Sequence, residues 1–211
     1  MNSAVVIHKH LKRLLIISLF SAAPLLAVDN ESEAILRQHS NEFRQEVVKV
    51  SDSVYVAVGY GASNAAMVIG DEGLIIVDTG QSISAAQAIY TEFKKISNNP
   101  VTAIIYTHSH RDHISGAEVF ARDSNPDVYA SANFANELVG GHVAGKILGL
   151  RTKRQFGIGL EAETEVINVG VGKAMWSDGL GAGFVPVTVS VTEERYSTTI
   201  EGVSINIVAA P

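Results

Sequence analysis

Cysteine is absent from all 211 residues. Its absence excludes a disulfide framework, a thiolate metal site, a cysteine nucleophile and a lipid anchor on cysteine within this sequence. Positive charge is scarce as well. Sixteen Lys and Arg against 22 Asp and Glu give a formal net charge of −6, which argues against nucleic acid as a main partner. There is no internal repeat, low-complexity tract or obvious linker. What is present is sufficient for a core: 46% of residues are hydrophobic and 18% charged, so the composition is not that of a disordered chain. The length suits one ordinary domain or part of a larger one.

Long apolar runs are also missing. The most apolar stretch, Leu14 to Ala23, falls short of the roughly 20 residues a bilayer span needs, so no stable membrane span is expected. Lys9, Lys12 and Arg13 precede it, no acid occurs before Asp29, and Ser21, Ala22, Ala23 and Ala27 follow as small residues. This order reads as a secretory signal peptide over 1–27, cleaved after Ala27. Leu25 is a weak match at the −3 position, and an uncleaved anchor is the alternative. Removing 1–27 takes three cations and no acid, which moves the net charge from −6 to −9. Five histidines remain (His39, His108, His110, His113 and His142), three of them within six residues.

Beyond a lead-in segment (28–46, with an amphipathic or partly loose helix over 33–46), the sequence reads as a domain over 47–211. Val47 to Val58 alternates like a strand bent near Ser51–Ser53, and Ala65 to Ile69 is a second strand. Asp71-Glu72-Gly73 signals a hairpin, and Leu74 to Val77 is a continuous apolar run that requires burial on both faces. Ser82 or Ser84 caps a helix to about Ile96, with Ala85, Ala88, Ile89 and Phe93 on one stripe. Val101 to Tyr106 is another buried strand, and a short helix runs to about Ala121. Asp127 to Ala130 reads as a strand and Ala132 to Val139 as a helix start. Residues 140–160 lack a clear period and read as a long loop. Val185 to Val191 and Ser197 to Val208 read as strands joined by a polar turn at Glu193-Glu194-Arg195. The pattern is that of an α/β layered sheet.

One segment carries most of the chemistry. His108-Ser109-His110-Arg111-Asp112-His113 follows a buried strand and opens a helix. Three neutral imidazoles and a carboxylate suit a borderline-soft divalent cation. In extended backbone His108 and His110 share a side, while Asp112 and His113 turn toward a second position as the helix begins. Ser109 and Ser115 are small enough for a tight curl, and Gly116 permits close backbone approach. A polar surface loop with incidental histidines is the plain alternative. A purely structural zinc site would ask for four closed ligands, usually including cysteine.

This segment resembles the H-x-H-x-D-H signature of the metallo-β-lactamase superfamily. The upstream Gly73-Leu74-Ile75-Ile76-Val77-Asp78-Thr79-Gly80 is similar to the strand that ends in an aspartate near the metals of that superfamily. The resemblance implies an αββα sandwich, here mainly its N-terminal half, and a centre of two Zn2+ ions. It assigns His108 and His110 to one zinc, Asp112 and His113 to the other, and Asp78 to orienting the metal loop from behind through hydrogen bonds. Asp112 would also orient the attacking water and so act catalytically. Tyr106-Thr107-His108-Ser109-His110, Gln155 to Leu160, Phe184-Val185-Pro186 and the final strand Ser204 to Pro211 resemble the alkylsulfatase branch. That branch is periplasmic or secreted and hydrolyses sulfate esters of alkyl chains. The expected partner is thus a small-molecule ester, with a β-lactamase, thioesterase or lactonase as the alternative activity. Because the three histidines must be neutral to ligate, metal affinity is expected to fall below about pH 6.5.

The departures from the family carry weight too. Members complete their metal sites with ligands well downstream of this motif, the next of them after a strand that runs into a small glycine-containing turn. Here the strand Ser204 to Val208 meets Ala209-Ala210-Pro211, and only His142 remains after His113. His142 reads as an exposed loop histidine. The sequence therefore reads as the first half of a longer domain, and an inactive remnant is a further possibility to test. Arg151, Lys153 and Arg154 form a basic cluster, read as solvated charge in preference to sulfate or carboxylate recognition. Met175 and Trp176 read as local packing in preference to a substrate groove.

Overall fold

A computed structural model describes residues 31–143, 145–156, 160 and 181–209. The expected signal peptide, Met175 and Trp176 lie outside these residues. Helix α1 (Glu31–Ser40) and a 3-10 turn (Asn41–Phe43) lead into an antiparallel meander of β1 (Glu46–Lys49), β2 (Val54–Val58), β3 (Ala65–Ile69) and β4 (Leu74–Val77). Helix α2 (Ile83–Lys94) crosses to β5 (Val101–Ile105), which runs parallel to β4. Two short helices, α3 (Arg111–Ile114) and α4 (Ala117–Ala121), precede β6 (Asp127–Ser131). Helices α5 (Phe134–Val143) and α6 (Gly145–Gln155) follow, then β7 (Val189–Val191) and a hairpin of β8 (Arg195–Ile200) and β9 (Val203–Val208). Strands β1 to β7 form one sheet in sequence order, parallel from β4 through β7.

The two-residue period of a strand sorts the central side chains onto two cores. Leu74, Ile76 and Ile104 face the helices, where Ala86, Ile89 and Phe93 of α2 and Val119 and Phe120 of α4 cover them. Ile75, Ala103 and Ile105 face the other way, with Tyr129, and are covered by Tyr196, Ile200, Val203, Ile205 and Ile207 of the hairpin. Both faces of β4 and β5 are thus buried, as their largely apolar sequences require. Helix layer, seven-stranded sheet and hairpin correspond to the first three layers of an αββα order. Ser82 caps α2 by accepting from the Ala85 N–H at 3.1 Å, an interaction typically worth about 1 kcal/mol.

Four expectations are corrected. Val47 to Val58 is not one bent strand but the hairpin β1–β2, because the Ser51 hydroxyl accepts from Val54 N–H at 3.1 Å and closes a tight turn. Residues 140–160 are not a loop: α5 runs to Val143 and α6 covers Gly145–Gln155. Of the aliphatic residues of α6, Ile147 and Leu150 are exposed. His142 therefore lies on α5. Ser197 to Val208 is not one strand but two, reversed at Glu201 and Gly202, whose φ values of 49° and 73° suit a tight hairpin turn. The helix expected to reach Ala121 is divided at Ser115–Gly116 into α3 and α4.

Candidate metal centre

The site lies at the carboxyl ends of β4 and β5, where ligands gather in parallel sheets. Strand β4 ends at Asp78, whose φ of 55° is tolerated by the short polar side chain of an aspartate. Its N–H still donates to Ile105 O at 2.9 Å, so the backbone stays tied to β5 while the carboxylate turns inward. Asp78 is 6% exposed, and three donors converge on it. The Thr107 N–H reaches Oδ1 at 2.9 Å, the Thr107 hydroxyl reaches Oδ2 at 2.7 Å, and His113 Nδ1 reaches Oδ2 at 2.7 Å. A buried carboxylate with three donors is well compensated.

This network fixes proton positions two residues away. A carboxylate only accepts, so the proton of neutral His113 sits on Nδ1 and its Nε2 presents a lone pair. The Thr107 hydroxyl spends its one proton on Asp78, so toward His108 Nδ1, 2.9 Å away, it can only accept. The His108 proton therefore also sits on Nδ1, and its Nε2 is likewise left bare. One aspartate, acting directly and through Thr107, prepares two imidazoles to ligate through the same ring atom.

The rings are close: His108 stands 4.0 Å from His113 and 4.6 Å from His110 between centroids. Burial, joined by repulsion from His113 and His110, holds His108 below the ordinary histidine range. Burial also works against protonation of His113, but hydrogen bonds to Asp112 and Asp78 outweigh it and push this histidine up to about 9. For Asp112, burial raises the pKa, yet the hydrogen bond and charge of His113, 3.4 Å from Oδ2, leave it below the usual carboxylate range. The raised His113 adds proton competition above the pH of about 6.5 below which metal affinity is expected to fall.

The backbone of the metal turn is held from three distant segments. Helix α3 is too short to satisfy its own carbonyls. Ser63, from the β2–β3 loop, donates to Asp112 O. Thr79 donates to His113 O through its N–H at 2.7 Å and its hydroxyl at 3.0 Å. The fully buried Ser115 hydroxyl donates to Arg111 O and accepts from Gly181 N–H at 2.6 Å. A Cβ on Gly116 would fall on Thr79 O and on Ala86, so the expected close approach is present. A cavity of about 890 Å3 opens beside His108, with Val77, Ile105 and Ile205 as apolar lining and Asn133 and Glu137 at its polar side.

The five residues singled out from sequence (Asp78, His108, His110, Asp112 and His113) are thus brought to one place. Thr107, Thr79, Ser63 and Ser115 were not foreseen as partners; of these, only Thr107, adjacent to the motif, offered a signal. The donor chemistry fits a divalent metal: two preset imidazoles, a third imidazole and a carboxylate. Among the described residues no three His, Asp or Glu side chains gather into one metal-holding group.

Comparison with known proteins supplies the context. Residues 58–196 match the metallo-beta-lactamase superfamily. The linear primary-alkylsulfatase of Pseudomonas sp. (strain ATCC 19151) is 33% identical over 152 residues, 69% of this chain and 28% of that protein. The alkyl/aryl-sulfatase BDS1 of Saccharomyces cerevisiae is 30% identical over 171 residues, 77% of this chain and 26% of that protein. A structure of a double mutant of the sec-alkyl sulfatase PisA1 superposes with a TM-score of 0.67 at 25% identity, covering 82% of this chain and 28% of that one. The chain spans little more than a quarter of the length of these relatives. With a matched segment running from β2 into β8 and a histidine–aspartate turn at the strand ends of the sheet, this chain belongs to the metallo-beta-lactamase superfamily.

Proposed function

We propose that this chain carries the N-terminal metal-binding part of a zinc-dependent hydrolase of alkyl sulfate esters, working in the periplasm or outside the cell. The Asp78 network carries the metal part of this reading, because its three hydrogen bonds hold Nδ1 of His113, and through Thr107 Nδ1 of His108, as the protonated ring atom, so that each neutral imidazole offers Nε2 to a metal. The substrate part rests on the named activities of the alkylsulfatase relatives, and the location on the signal-like leader.

His108 and His110 would hold one metal ion, and Asp112 and His113 a second. When bound, the metals supply Lewis-acid stabilisation of negative charge developing on the ester oxygens. Asp78 keeps both ring tautomers fixed throughout. Asp112, its pKa lowered by His113, stays ionised at neutral pH and orients the attacking water through its carboxylate. The apolar lining of Val77, Ile105 and Ile205 receives the alkyl chain and excludes bulk water from beside His108.

The complete protein should hydrolyse dodecyl sulfate and p-nitrophenyl sulfate and leave nitrocefin intact. The reverse preference would refute the sulfatase assignment while leaving the metal centre standing. Replacing both His108 and His110 with Ala should abolish zinc retention, measured by elemental analysis; unchanged zinc content would refute the metal assignment. Fractionation with and without residues 1–27 tests the location.

A further inference from the structure

Helix α6 carries Arg151, Lys153 and Arg154 and has no acidic residue between Gly145 and Gln155. All three cations are exposed, and among the described residues none of them forms an ion pair. Two large aliphatic side chains share their face: Ile147 is 67% exposed and Leu150 is 62% exposed. At about 100° per residue, Leu150, Arg154, Ile147 and Arg151 follow one another around the helix within roughly 100°, and positions 146 and 153, both Lys, come next beyond Leu150. The outward face thus alternates cation and aliphatic side chain.

This alternation discriminates between partners. Nucleic acid or a dissolved small anion would reward the three cations and leave Ile147 and Leu150 in water. A purely apolar partner would bury the aliphatic side chains at the expense of the charges. A layer of anionic amphiphile rewards both, since its headgroups meet the cations, its acyl boundary takes Ile147 and Leu150, and the Lys and Arg stems lie along the apolar zone. The chain as a whole is net negative at −6, so a surface of the same sign repels its other faces and selects α6 as the one that leads.

We propose that the outward face of α6 docks on the surface of a bilayer with anionic headgroups. This proposal stands apart from the sulfatase reading and uses none of the metal-site residues.

Co-sedimentation of the full chain with vesicles tests it. Binding is expected to phosphatidylcholine vesicles that contain phosphatidylglycerol, and not to phosphatidylcholine alone. Each cation near such a surface contributes about fivefold, so Arg151→Gln, Lys153→Gln and Arg154→Gln together should lower the partition coefficient on the order of a hundredfold. Ile147→Ser with Leu150→Ser should lower it about tenfold or more with the cations intact. These positions are exposed, and circular dichroism confirms that the variants remain folded. Equal binding to neutral vesicles, a triple variant that binds as wild type, or indifference to the aliphatic substitutions would each overturn the proposal. So would self-association of the chain that these substitutions abolish, because a second copy would then be what covers the face.

Discussion

Asp78→Asn is the substitution that most directly interrogates the site, because the amide is the same size and differs in what it can accept. The carboxylate receives three donors: Thr107 N–H, Thr107 Oγ–H and His113 Nδ1–H. An asparagine offers one accepting oxygen and an NH2 group that accepts nothing. If the oxygen faces Thr107 N–H, the NH2 points at His113 Nδ1 and drives its proton to Nε2, where ligation is blocked. If the oxygen faces His113, the NH2 confronts the Thr107 N–H and leaves it unpaired. The second arrangement costs about 1–3 kcal/mol for the buried N–H, and the loss of charge assistance on the remaining bonds adds about 1 kcal/mol each. We expect urea unfolding of the metal-free variant at pH 7 to show a loss of roughly 2–5 kcal/mol. A pH series sharpens the test. His113 is raised in the folded protein to about 9, so its contribution is fully present below the ordinary histidine value near 6.5 and is lost as pH rises through 9. The full shift corresponds to about 3 kcal/mol at most. In Asp78→Asn that decline between pH 6.5 and 9 should shrink, and nitrogen-15 NMR should show the His113 transition moving down. A variant with unchanged stability and an unmoved His113 transition would refute the account of Asp78 as the organiser of the site.

Other outcomes follow from the same geometry. Zinc binding to the complete protein near neutral pH should release about one proton from His113, read by titration in buffers of different ionisation enthalpy, and affinity should keep rising to about pH 9; affinity already flat above pH 6.5 would contradict it. Gly116→Ala should destabilise the fold by about 1–3 kcal/mol, because its Cβ would fall on Thr79 O and Ala86; an unchanged Tm would show that α4 has room to move. Phe120→Ala, fully buried between Tyr90 and Phe93, should lose about 3–5 kcal/mol in chemical denaturation, and a loss below about 1 kcal/mol would show a loosely packed helix layer.

The parts of the molecule readable from sequence are those whose cause is local. Leu74 to Val77 and Val101 to Ile105 reveal themselves as central strands because burial on both faces favours nearly continuous apolar runs, interrupted only by the half-buried Thr102. Ser82 announces the start of α2 through its own hydroxyl. The histidine–aspartate turn is compact enough to be seen whole. What stayed hidden depends on partners far along the chain. Nothing in the neighbourhood of Ser63 hints that its hydroxyl meets a carbonyl 49 residues later. Helix α6 escaped notice because Gly145 and Gly149 and the run of cations obscure its period, and its Ile147 and Leu150 are exposed. The reversal at Glu201–Gly202 was masked by the more conspicuous charge at Glu193, Glu194 and Arg195, which joins β7 to β8 instead.

The grip of residues 181–185 on the metal turn has a consequence for the order in which the molecule is made. Gly181 binds Ser115 across 66 residues, and Val185 O receives the Tyr106 hydroxyl at 2.9 Å across 79. Ribosomes add roughly 5–20 residues per second, so the histidines are synthesised several seconds before the segment that clamps their turn. Closing loops of that length carries an entropic cost that must be met before the contacts form. The clamped form of the histidine turn is therefore expected to assemble late, once Val185 has emerged.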